Sequence, residues 1–98
     1  MPKRTESYDK MISEKLQDAD YARDYLIHLV EEEENSVEEA LVILAQKMGE
    51  KEFAEFIGTS KQKVNDFIKG RRKSTLAMLN KFLEPFELEL NIGLREAS

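Results

Sequence analysis

The stretch from Lys51 to Gly70, KEFAEFIGTSKQKVNDFIKG, constrains this chain more than any other, because it reads as two short helices meeting at a glycine-hinged turn. Phe53, Ala54 and Ile57 fall at i, i+1 and i+4 on one apolar face, and Gly58 stands where a left-handed residue would end the first helix. Gly58-Thr59-Ser60 is then the turn, with Ser60 as N-cap of the second helix. Val64, Phe67 and Ile68 form that helix's inward face, which leaves Lys61, Gln62, Lys63, Asn65, Asp66 and Lys69 facing out. Each spacing has a physical job. A bulky residue at Ala54 would push the two helices apart, and a Cβ at Gly58 would resist the turn. An ordinary helical hairpin would need the same apolar positions. The Lys/Gln/Asn-rich outer face and the Arg71-Arg72-Lys73 connector are what favour DNA over that plainer reading.

Ninety-eight residues make one domain with a single small core. At 41% hydrophobic and 36% charged the chain is a folded protein with a highly charged surface. The net charge of −5 argues at first against nucleic acid, but the sign is unevenly spread. Residues 1–50 carry 6 Lys/Arg against 13 Asp/Glu, hence −7, and residues 51–98 carry 9 against 7, hence +2. Between residues 61 and 73 six basic side chains meet one acidic one, a net +5 in one short segment. The absence of cysteine excludes disulfides and thiolate metal sites and fits a reducing cytoplasm. No apolar run approaches the roughly 18 residues of a membrane span, and MPKRTESYDK lacks the apolar centre of a signal peptide, so no membrane partner is expected.

Taken in order, residues 1–7 read as a loose polar tail. Tyr8, Met11, Ile12 and Leu16 repeat at helical spacing over residues 8–17. Asp18 offers an N-cap for a helix over residues 19 to about 33, with Ala22, Tyr25, Leu26, Leu29 and Val30 on one stripe and a frayed, four-glutamate end. Ser36-Val37-Glu38-Glu39 is a capping box that opens a third helix, and Gly49 stops it. After the helical pair, Ser74 or Thr75 caps a last helix with Leu76, Leu79, Phe82 and Leu83 inward, ended by Pro85. Phe86, Leu88, Leu90 and Ile92 then alternate with polar residues, the period of a strand over residues 86–92. A lone strand leaves an open edge. Pairing with the same strand of a second subunit would resolve this and makes those four residues the expected dimer contacts; a terminal extension across the chain's own core is the other resolution.

The expectation is thus a single all-α domain over 1–98, a bundle of five to six helices: N-terminal helices at 8–49, a helix-turn-helix unit at 50–84, and a short C-terminal strand. Enzymatic constellations are missing. His28 stands alone, and Glu31–Glu34 with Glu38-Glu39 read as solvated faces, so no catalytic residue, metal or cofactor is assigned and no enzyme is expected. The DNA-contacting set is Thr59, Ser60, Lys61, Gln62, Lys63, Asn65, Asp66, Lys69, Arg71, Arg72, Lys73 and Ser74. Gln62 and Asn65 suit adenine edges and Lys61 guanine, with Asp66 accepting from cytosine or merely steering; the remaining cations suit phosphates, as do the helix N-termini at Lys51 and near Ser74.

Residues 50–84 resemble the Cro/cI-repressor (Xre) class of helix-turn-helix domain. The chain from Ser7 to about Ile92 is similar to the addiction-module antidote proteins of that class, the HigA-like antitoxins. SYDKMISEKLQDADYARDYL, ALVILAQKMG, EFAEFIGTSKQKVNDFIKG and STLAMLNKFLEPFELEL carry the likeness. Ser74 stands where the family often has proline, and Pro85-Phe86 replaces a common glycine-containing link. The resemblance implies a λ-repressor-like fold and a bacterial or phage-derived homodimer, cytoplasmic and nucleoid-associated. Such a dimer binds double-stranded operator DNA and represses its own operon beside a small basic toxin. The rival expectation is a protein-binding module whose acidic N-terminal half neutralises that toxin, with DNA binding secondary.

Overall fold

Side-chain caps from Asp18, Ser36, Ser60 and Thr75 mark where their helices begin. In the computed structural model, which describes residues 10–71 and 74–90, helix α1 occupies residues 10–15. Then come α2 (Ala19–Glu31), α3 (Val37–Met48), α4 (Glu50–Ile57), α5 (Lys61–Ile68), α6 (Leu76–Leu83) and a single 3-10 turn, Glu84–Phe86. Asp18 accepts the amides of Asp20 and Tyr21 at 2.8 and 3.2 Å, and Thr75 rather than Ser74 caps α6 through the Met78 amide at 3.1 Å. The capping box closes reciprocally, the Glu39 amide to Ser36 Oγ at 3.1 Å and the Ser36 amide to Glu39 Oε1 at 3.0 Å. That backbone donor from Ser36, with its hydroxyl, holds the Glu39 carboxyl below the usual glutamate range. Tyr8 and the tail before it lie outside the described residues.

Helix α3 is the axle of the bundle: α2, α4, α5 and α6 all pack on it. Ala40, Leu41, Leu44, Ala45 and Met48 are buried along its stripe, and Leu16, Ala22, Leu26 and Leu29 meet them from the N-terminal side. Ser13 Oγ donates to the Met48 carbonyl at 2.8 Å, which ties α1 to the end of α3. Helix α2 ends at Glu31, two residues earlier than its pattern suggests. Glu34 turns left-handed at φ 57°, and Asn35 closes the end by donating its backbone and side-chain amides to the Leu29 carbonyl. Leu76, expected inward, is 40% exposed because it starts α6 at the bundle's margin.

The C-terminal strand expected over residues 86–92 is not formed among the described residues, and the reason is local. Glu87 sits at φ 58°, which breaks the extended path after Phe86. Phe86 closes the 3-10 turn and is buried at 1% exposure, its ring stacked on Phe56 at 5.1 Å. Leu88 and Leu90 have no regular structure and pack half-buried on the core, while Ile92 lies outside the described residues. What a partner strand would supply to Leu90 comes instead from one side chain: Asn80 Oδ1 accepts the Leu90 amide at 2.7 Å and Asn80 Nδ2 donates to its carbonyl at 3.3 Å. The described part of the segment thus lies against the chain's own core through Leu88 and Leu90. Asn80→Ala removes both bonds. It should lower stability by about 1–3 kcal/mol and expose the Leu90 amide to hydrogen exchange; unchanged protection would show that packing alone holds the segment.

Candidate nucleic-acid interface

Three phenylalanines set the pose of α5. Phe53 of α4 and Phe67 of α5 both pack edge-on against Phe82 of α6, with ring centroids 6.0 and 4.9 Å apart and interplanar angles of 79° and 81°. Val64 and Ala54 are buried in the same core cluster. Edge-to-face geometry places the positive ring edge on the negative ring face, so the contact prefers one relative orientation of the three helices.

The turn between α4 and α5 depends on Gly58 at φ 82°, ψ 36°. The Gly58 and Thr59 amides both donate to the Ala54 carbonyl at 2.9 Å. A Cβ at Gly58 would meet no atom within 4 Å, so the demand is purely conformational. Gly58→Ala should therefore cost about 1–2 kcal/mol, the left-handed penalty of an L-residue, read as a lower urea midpoint. Gly58→Asn should cost less, and equal midpoints for parent and both variants would dismiss the argument. Ser60 then spends its hydroxyl on capping the Lys63 amide at 3.2 Å. The far end of α5 closes as a Schellman pair: the Gly70 amide to the Phe67 carbonyl at 3.2 Å, the Arg71 amide to the Asp66 carbonyl at 2.9 Å, with Gly70 at φ 68°.

With Val64, Phe67 and Ile68 turned inward, Gln62, Asp66 and Lys69 occupy the middle of the opposite face of α5. Lys61, Gln62, Lys63 and Lys69 are exposed, as is Arg71 beyond the turn. Asn65 and Asp66 are only partly exposed and are engaged within the protein. Asn65 Nδ2 donates to Glu50 Oε1 on α4 at 3.0 Å, so this side chain braces the two helices. Asp66 Oδ1 accepts from Gln62 Nε2 at 3.1 Å and lies 3.6 Å from Arg71 Nη1. Thr59 and Ser74 are half-buried. Arg72 and Lys73 lie outside the described residues.

Three contributors were not singled out by sequence. Glu50 holds Asn65, Asn80 holds Leu90, and Lys81 joins Thr59 and Lys63 around a small recess of about 160 Å³ floored by Phe67, Met78 and Phe82. Only the packing of α6 beside α5 brings Lys81 to this face. No spacing rule within α6 announces it. At the other flank α4 starts at Glu50, and its first turn carries Glu50 and Glu52 with no side-chain cap from Gly49. Those carboxylates disfavour a phosphate at that helix N-terminus.

The acidic surface is set apart. Glu31–Glu34, Glu38 and Glu39 are all exposed around the α2–α3 connection. Twelve-residue α3 separates that connection from the start of α4 by about 18 Å. His28 Nε2 lies 3.1 Å from Glu33 Oε2, with both side chains half exposed. Among the described residues no polar or charged side chain is buried, and no group of three or more His, Asp or Glu is placed to hold a metal ion. No described helix is long and apolar enough to cross a membrane. No protein-family model, curated protein or solved structure matches the chain.

Proposed function

We propose that the chain is a sequence-specific DNA-binding transcriptional regulator of the λ-repressor-like helix-turn-helix kind. It binds double-stranded operator DNA as a homodimer and represses its own operon as the antitoxin of a toxin–antitoxin pair. The observation that carries this reading is α5: a helix held rigidly from behind by Val64 and Phe67 while Lys61, Gln62, Lys63 and Lys69 stand exposed in front of it. A helix of this kind fits the major groove, where its polar side chains meet base edges and its cations meet phosphates. The expected result is a gel shift of the upstream intergenic DNA that weakens steeply between two salt concentrations and survives random competitor DNA. No shift at low salt would end the proposal.

The dimer is part of the same proposal, since two-fold operators are read by two-fold proteins. Deleting residues 86–98 would remove core Phe86, so the clean test is solution mass after truncation beyond Leu90 and, separately, after Leu88→Glu. A dimer unchanged in both would exclude this segment as the interface. A second reading, that the acidic half binds a small basic toxin, draws on the exposed glutamates clustered around the α2–α3 connection. A small basic open reading frame overlapping the gene would favour it, and its absence would favour a stand-alone regulator.

A further inference from the structure

We propose that Asp66 is a positioning residue of the reading face: its recessed carboxylate, held between Gln62 and Arg71, orients the Gln62 amide for adenine before DNA arrives. The inference rests on the DNA-binding reading above. It starts from exposure. The Asp66 side chain is 14% exposed and that of Arg71 60%, so the acid sits behind the groups it holds. A carboxylate so placed is poorly presented to a cytosine, and its role falls on its neighbours.

Gln62 and Asp66 are four residues apart on α5, the spacing at which helix side chains meet. Gln62 Nε2 donates one hydrogen to Asp66 Oδ1 at 3.1 Å. Turning that amide over would set Gln62 Oε1 against the carboxylate, acceptor facing acceptor, so one orientation is held. The outward edge then presents Oε1 and the second Nε2 hydrogen, one acceptor and one donor. Adenine in the major groove offers the matching pair, the N6 donor and the N7 acceptor. Guanine offers two acceptors, O6 and N7, and the second donor it would need is engaged by Asp66. Arg71 is anchored to the same residue twice, through its amide on the Asp66 carbonyl at 2.9 Å and its guanidinium 3.6 Å from Oδ1. Asp66 thereby couples a base-reading side chain to a phosphate-binding one.

The test uses the full chain. DNA is selected from a random pool, and affinities for the selected site and its single-base variants are compared for the parent, Asp66→Ala, Asp66→Asn and Gln62→Ala. Asparagine keeps an oxygen that accepts from Gln62 while losing the charge; alanine loses both. The expected result is an A·T preference of about tenfold or more at one base pair in the parent. Asp66→Ala should reduce it about tenfold and Asp66→Asn should largely retain it. In the Gln62→Ala background, Asp66→Ala should change base preference no further. Ala and Asn variants that behave alike, or an Asp66→Ala that keeps the parent's preference, would overturn the inference while leaving DNA binding intact. A parent that selects no sequence would overturn the DNA-binding reading and this inference with it. In DNA-free protein, the Gln62 side-chain amide resonances should shift in Asp66→Ala and stay near the parent's in Asp66→Asn; identical spectra in all three would also count against Asp66.

Discussion

Phe82→Ala is expected to destabilise the fold by about 3–5 kcal/mol, the usual cost of deleting a buried aromatic ring. Phe82 is 4% exposed and is the ring on which both Phe53 and Phe67 pack. Its loss therefore opens a void shared by α4, α5 and α6 and removes two oriented aromatic pairs. A domain of this size has a total stability of roughly 5–15 kcal/mol, so the variant should be largely unfolded in mild urea and should melt far below the parent by circular dichroism. Phe82→Leu refills most of the volume without the ring edges and should lose less. If Phe82→Ala melted with the parent, the aromatic trio would not be what holds α5 in its pose, and Gly58 with the packing on α3 would have to suffice.

Arg71→Ala combined with Arg72→Ala is expected to weaken binding to every DNA sequence and to lower the slope of log affinity against log salt by about two units, close to one for each phosphate no longer neutralised. Stability should scarcely change, because Arg71 is well exposed and its pairing with Asp66 at 3.6 Å is the kind of surface ion pair worth about 1 kcal/mol or less. The signature differs from that of Gln62→Ala, which should cost about 1–3 kcal/mol at particular base pairs and leave the salt slope alone. An unchanged slope in the double variant would remove the basic turn from the DNA-binding surface.

Much of the architecture was legible from local chemistry. Asp18, Ser36 and Ser60 were readable as caps because a short oxygen-bearing side chain before an apolar-periodic run has one good use, and Gly58 and Gly70 because a left-handed closure favours glycine. The inward faces of α3, α4 and α5 followed from helical spacing. The alternation of Phe86, Leu88 and Leu90 misled for a physical reason: period two describes which residues are apolar, and a chain that turns at Glu87 and lies across its own core buries alternate residues just as a strand does.

By itself, then, the sequence determined the helical class of the bundle, the starts of α2, α3 and α5, the glycine-hinged pair and the separation of acidic from basic charge along the chain. All of these depend on interactions within a few residues or on composition. The tertiary structure alone decided that Phe82 joins three helices, that Asn80 holds both backbone groups of Leu90, and that Lys81 lines one recess with Lys63. It also decided that Asn65 is turned to Glu50, fifteen residues away in sequence. Each is a meeting of elements whose relative placement no local periodicity encodes. Gln62 and Asp66 stand between the two cases: their spacing was visible from the start, but the recessed carboxylate that makes one the positioner of the other appeared only once α5 and the turn after it were folded together.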